Sequence, residues 1–181
     1  NASLLSSKNK FLGDNGGTIP DLYAKNNLAA YLVAEYPSGR VISGKNIDTR
    51  RTIASLTKLL TGYEALHQGF NLTKSTVYKQ ALYDTGSNPI GFKNGDIITN
   101  KVLLNTMLVA SNNSAARMIA QATKLDENSF INSINTRLGQ WGADSTVLHD
   151  VTGLDAENKS TARDLLKILT TILDDKTMRA A

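Results

Sequence analysis

Only two stretches of this 181-residue chain read as β-strands, and they are neighbours. Residues 28–36, Leu-Ala-Ala-Tyr-Leu-Val-Ala-Glu-Tyr, form a near-continuous apolar run, and residues 41–46 read as a second strand. Between them Pro37-Ser38-Gly39-Arg40 carries turn chemistry, so the pair is predicted to be a β-hairpin. A hairpin by itself is marginal in water. It must lie on something apolar, and its open edge of unpaired N–H and C=O groups calls for further strands. Almost everything after residue 46 has a helical period, so the fold class is α+β.

The first helix is expected from about Ser55 to His67, where Leu56, Leu59, Leu60, Tyr63 and Leu66 recur on one face, and Gly69 ends it. Residues 70–98 read as irregular, with a short hairpin at Lys93-Asn94-Gly95-Asp96. Thr99 is a predicted N-cap for a helix carrying Val102, Leu103, Met107, Val109 and Ala110. Ser111-Asn112-Asn113-Ser114 interrupts it, because such residues bond their own backbone and favour caps and turns. The helical pattern resumes over 115–122 with Met118 and Ile119, and another helix spans 127–138 and stops at Gly139. Residues 147–153 read as short and extended. Thr161 and Asp164 form a capping box for a last helix with Leu165, Leu166, Ile168, Leu169 and Ile172. Residues 1–27, polar and glycine-rich, read as an N-terminal arm, and 28–181 as one domain.

Composition excludes several functions. The net charge of +4 is dispersed and aromatics are only 6%, with no Lys/Arg tract alternating with them, which argues against nucleic acid. A mildly basic surface does suit an anionic polymer. The chain has no cysteine, so a disulfide framework and a Cys/His zinc site are excluded. His67 and His149 have no partner at ligand spacing, and neither a metal nor a cofactor is expected. No apolar stretch reaches the roughly 20 residues of a membrane helix. Asn1 to Lys10 is too polar for a signal peptide, so any export signal has been removed. Gly39 to Lys45 nearly matches a phosphate loop, but Asn46 follows it and the segment reads as a strand.

Two motifs carry chemistry. Ser55-Leu56-Thr57-Lys58 puts a serine and a lysine on one face of a helix start. The free N–H groups and positive dipole end there favour developing negative charge. A lysine one turn on can take the serine proton if burial lowers its pKa. The same string at Ser7 to Lys10 lies in a loop and carries no such context. The second motif is Ser111-Asn112-Asn113, in the break between two helical runs; the plain alternative is a capped helix terminus. A Ser-His-Asp arrangement using His149 and Asp150 also stays open, although it leaves Lys58 without a role.

A helix-opening Ser-x-x-Lys followed by an interhelical Ser-x-Asn resembles the serine penicillin-recognising enzymes. The chain is most similar to their low-molecular-mass D-alanyl-D-alanine carboxypeptidases, over about residues 28–175. Ile53-Ala54-Ser55-Leu56-Thr57-Lys58-Leu59-Leu60-Thr61 looks like the nucleophile segment. Gly91 to Asp96, Val109 to Ala115, Thr152-Gly153-Leu154-Asp155 and Ser160 to Leu165 resemble four further landmarks in the same order. The resemblance implies a β-lactamase/transpeptidase-like fold, a helical lobe with an antiparallel sheet of which this chain holds the N-terminal hairpin. It implies that Ser55 attacks the bond between the last two D-alanines of a peptidoglycan stem peptide and that Lys58 takes its proton. Ser111 would relay a proton to the leaving group and Asn113 would bind the substrate. β-Lactam antibiotics would acylate the same serine, and the site would work outside the cytoplasm.

The family's third motif, Lys-Thr-Gly, is missing. Lys176-Thr177-Met178 lacks the glycine, and Lys93-Asn94-Gly95 comes before Ser-x-Asn rather than after it. The remaining strands and this motif are therefore expected beyond Ala181, and no membrane anchor is visible. Two other readings compete: a β-lactamase of the same superfamily, disfavoured by Asn112 in place of aspartate, and a catalytically incomplete wall-binding module.

Overall fold

The computed structural model describes residues 20–86 and 89–180, so residues 1–19 of the expected arm lie outside the described residues. The hairpin forms from β1 (Tyr31–Ala34) and β2 (Val41–Lys45), with Tyr31 opposite Lys45 and an irregularity between Val33 and Ala34. β1 is shorter than its apolar run. The Ala29 carbonyl is taken by the Asn46 and Arg51 side chains, which ends the ladder. The last part of the arm is hydrogen-bonded along β2: the Pro20 carbonyl accepts from Gly44 N–H at 3.1 Å and from Ser43 Oγ at 2.8 Å. Gly39 to Lys45 is thus a turn and a strand, not a phosphate loop.

Among the described residues there are two more antiparallel pairs that the sequence did not reveal. β3 (Arg51–Thr52) pairs with β6 (Lys159–Ser160), and β4 (Ser75–Val77) pairs with β5 (Ile97–Thr99). At two or three residues each, they are too short for alternation to show. Residues 70–98 are therefore not irregular throughout; a helical turn, α2 (Gln80–Tyr83), also lies there. The Lys93–Asp96 turn does not close its own hairpin, because Gly95 N–H donates to the Tyr78 carbonyl and Tyr78 N–H to the Asp96 carbonyl. Of residues 147–153, only Val147 pairs in extended fashion, with Lys159.

The helical body comprises α1 (Thr57–His67), α3 (Asn100–Val109), α4 (Asn113–Ala122), α5 (Glu127–Gln140), α6 (Ala162–Asp174) and a short α7 (Lys176–Ala180). Thr99 and Thr161 cap α3 and α6, accepting from Val102 N–H and Asp164 N–H. α5 runs through Gly139, which adopts no left-handed φ; the chain turns at Gly142, where φ is +67°. Lys176 to Met178 lies in α7 with Met178 buried, so it is no cleft strand. The hairpin leans on α6 through β1.

α1 is central. Leu60 belongs to the same buried core as Leu103, Leu104 and Met107 of α3, Met118 and Ile119 of α4, and Phe130, Ile134 and Leu138 of α5. Each such side chain contributes about 1.5–3 kcal/mol by leaving water. A polar tie joins two of these helices: Glu64 of α1, 1% exposed, accepts from Arg137 of α5 and from Gln68. Burial pushes the Glu64 carboxyl up, but the bonds from Arg137 and Gln68 outweigh it and hold it below the ordinary glutamate value. Arg137→Met strands a buried carboxylate, so it is expected to cost about 3 kcal/mol at neutral pH, read by urea unfolding. Because the folded pKa is depressed, the stabilisation that Glu64 gives the wild type is complete above about pH 4.3, the unfolded value, and fades as pH falls through the folded one. A variant as stable as wild type at pH 7 would refute this role.

Candidate active site

The turn before α1 is strained. Ala54 has φ +44°, a left-handed conformation costly for a residue with a Cβ, and it opens a 3₁₀ turn, Ala54–Leu56. This kink leaves Ser55 exposed at the head of α1. Its N–H donates to no protein acceptor among the described residues, as expected for a first-turn donor. One turn on, Lys58 is 2% exposed. Its Nζ donates to Ser55 Oγ at 3.0 Å and to the Thr152 carbonyl at 2.6 Å. Burial pushes the Lys58 ammonium down from the ordinary lysine value, and the negative charge of Asp150 opposes part of that.

The Thr152 carbonyl belongs to a loop clamped onto one face of α1. Thr61 Oγ1 donates to the Val151 carbonyl at 2.7 Å, and the fully buried Asn158 donates to Thr57 Oγ1 at 3.0 Å. Asn158 also holds the loop from inside, accepting from His149 N–H at 2.7 Å and donating to Asp150 Oδ1 at 2.7 Å. Gly153 lies directly over the Ala54–Ser55 peptide. It has φ +89°, and a Cβ there would stand 2.0 Å from the Ala54 oxygen. The Thr152-Gly153 landmark therefore covers the Ala54–Ser55 turn. Asp150 is bonded to Thr152, Gly153 and Asn158 and not to His149, so the Ser-His-Asp alternative does not form.

Ser111 and Asn113 sit at the head of α4. Ser111 is exposed with φ +52°, and Asn113 is half-buried in the first turn. The cap is neither of them: Asn112 Oδ1 accepts from Ala115 N–H at 2.8 Å. That frees Ser111 from the capping role. Among the described residues, Ser111 and Asn113 make no direct hydrogen bond to Ser55 or Lys58. The buried side-chain polar atoms without a protein partner, Asn112 Nδ2 and Ser114 Oγ, are at this same helix start. α1 and α4 pack side by side, and their C-terminal ends, Gln68-Gly69 and Gln121 to Thr123, together line one groove of about 580 Å³. Helices of 11 and 10 residues span about 15 Å. The two motifs stand at the heads of these helices, at the ends away from that groove.

The family model for Peptidase_S11, D-alanyl-D-alanine carboxypeptidase, matches residues 20–180. This chain belongs to that family. The D-alanyl-D-alanine endopeptidase of Haemophilus influenzae is 33% identical over 145 residues, covering 77% of this chain and 48% of its own length. The D-alanyl-D-alanine carboxypeptidase DacA of Escherichia coli is 30% identical over 159 residues, covering 81% of this chain and 39% of its own. Among solved structures, a D-alanyl-D-alanine carboxypeptidase from Mycobacterium tuberculosis superposes with a TM-score of 0.77 at 27% identity, over 90% of this chain and 60% of that one. Penicillin binding protein 5 from Haemophilus influenzae gives 0.74 at 26%, over 81% and 45%. The fold is thus the α+β fold of the penicillin-binding proteins, and the chain spans about half the length of the curated relatives it matches.

Within the 150–158 clamp the sequence singled out only Asp150, and that for a Ser-His-Asp arrangement that does not form. The one other signal available was the resemblance at Thr152-Gly153, which gave no role. Asn158 carries no local mark at all.

Proposed function

We propose that this chain is the nucleophile-bearing part of a serine-type D-alanyl-D-alanine carboxypeptidase acting on peptidoglycan stem peptides outside the cytoplasm. The observation that carries this is the 3.0 Å contact between exposed Ser55 Oγ and a buried lysine amine. Burial favours the neutral amine, which keeps one lone pair for the serine proton while an N–H stays on the Thr152 carbonyl. Ser55 Oγ attacks the carbonyl carbon of the penultimate D-alanine as its proton passes to Lys58. The Ser55 N–H, without a protein acceptor, supports the oxyanion, a kind of contact worth about 3 kcal/mol. The C–N bond then breaks, the proton reaches the departing D-alanine amine through Ser111, and water later hydrolyses the ester. Asn113 holds the substrate amide. A β-lactam takes the same route as far as the acyl-enzyme.

The test is D-alanine release from a peptide ending in D-Ala-D-Ala, using the full-length protein that carries this chain. Release that disappears in Ser55→Ala supports the reading. Absence of release by the wild type, or sustained turnover of penicillin in its place, would overturn it in favour of a binding module or a β-lactamase.

A further inference from the structure

The carboxylate of Asp150 touches neither Ser55 nor Lys58, yet every bond it makes shapes the loop that does. Oδ1 accepts from Gly153 N–H at 2.9 Å and from Asn158 Nδ2 at 2.7 Å. Oδ2 accepts from Thr152 N–H at 3.1 Å and from the Thr152 hydroxyl. One side chain thus fixes both residues whose backbones meet the nucleophile turn: Thr152, whose carbonyl accepts a hydrogen bond from Lys58 Nζ, and Gly153, which covers Ala54–Ser55. We propose that Asp150 is a positioning residue for acyl transfer, building the turn that carries the Thr152 carbonyl onto Lys58 and so setting where Lys58 stands against Ser55. This rests on the acyl-transfer reading of those two residues.

A second consequence is electrostatic. Charged and titratable groups on the elements around α1 include Glu64 on α1 itself, Arg117 on α4, Arg137 on α5, Asp164 on α6, and His149, Asp150 and Asp155 on the loop. Of these, Asp150 alone acts appreciably on Lys58, and it favours the ammonium. Desolvation of Lys58 and the charge of Asp150 therefore pull in opposite directions. Their balance suits an amine that must both accept and return a proton. Asp150 holds its charge at neutral pH: burial pushes its carboxyl up, but the bonds from Thr152 and Gly153 outweigh this and keep it below the ordinary aspartate value.

Asp150→Asn in the full-length protein tests both consequences, because it preserves shape, removes the charge and turns one acceptor towards donors as a donor. The pH dependence of acylation by a fluorescent penicillin is expected to show a plateau about tenfold lower. Its rising limb should move to lower pH, since Lys58 then loses its proton more easily. A merely structural role lowers the thermal midpoint and leaves the limb in place, and that result overturns the electrostatic part. Thr152→Val keeps the charge and deletes one bond to it. It should lower the plateau without moving the limb, and an unchanged plateau contradicts the positioning part. NMR titration of Lys58 in the unacylated protein gives a readout that needs no activity. A lower midpoint in Asp150→Asn supports the electrostatic part and an unchanged one overturns it. A wild type that penicillin never acylates would instead remove the reading of Ser55.

Discussion

Replacing Lys58 by methionine is expected to slow acylation of Ser55 about 10³-fold while the protein stays folded. A positioned general base contributes roughly 10²–10⁴ in rate. Lys58 is the only titratable group bonded to Ser55 Oγ among the described residues. Methionine fills the volume of the lysine stem, which matters because Lys58 is 2% exposed. Arginine would be the worse choice, since it would bring a permanently charged guanidinium into that burial. The Thr152 carbonyl loses its 2.6 Å donor in the variant, a cost of about 1–3 kcal/mol. Removing the need to bury an ammonium offsets part of this. The thermal midpoint should therefore fall by only a few degrees, at about 2–4 °C per kcal/mol. In the wild type the rate should rise with pH as Lys58 deprotonates, through a midpoint below the ordinary lysine range, because burial disfavours its charge. The variant should lose that limb. Acylation within about tenfold of wild type would remove Lys58 from the mechanism.

The second large effect is expected at Gly153. An added Cβ would lie 2.0 Å from the Ala54 oxygen and 2.3 Å from its carbonyl carbon. Both are backbone atoms, so no rotamer change relieves the clash. The 150–153 loop must lift off the Ala54–Ser55 turn, breaking the Lys58–Thr152 bond with it. Gly153→Ala should therefore destabilise by more than about 3 kcal/mol and abolish acylation together. Gly69 is the matched control: its φ is +82°, but nothing lies within 4 Å of a Cβ there. Gly69→Ala carries only the left-handed strain of about 1–2 kcal/mol and should keep acylating. Equal effects at the two glycines would show that the contact over Ser55 is not what makes Gly153 necessary.

What could be read from the sequence follows from how local each cause is. The α1 helix, the Thr99 and Thr161 caps and the β1–β2 turn each depend on residues a few places apart and are found. Of the expected α1 stripe, however, only Leu60 is buried; Leu59, Tyr63 and Leu66 are partly so, and Leu56 is exposed. The Ser55–Lys58 pair is legible for the same reason, being one helical turn. The loop that completes it is not. Gly153 meets Ala54, and Asn158 meets Thr57, across about a hundred residues of chain that carry no pairing pattern. The left-handed φ of Ala54 is equally invisible, since alanine gives no sign of it. At the second motif, polarity marks Ser111, Asn112 and Asn113 alike. Only folding shows that Asn112 turns inward as the cap and leaves Ser111 exposed.

The central claim, that Ser55 is the nucleophile of a penicillin-sensitive acyl transfer, is tested most directly by incubating the full-length protein with a penicillin and mapping the adduct by peptide mass spectrometry. The account predicts one added antibiotic mass on the peptide containing Ser55, absent in Ser55→Ala. An adduct on any other residue, or one that persists in Ser55→Ala, would contradict it.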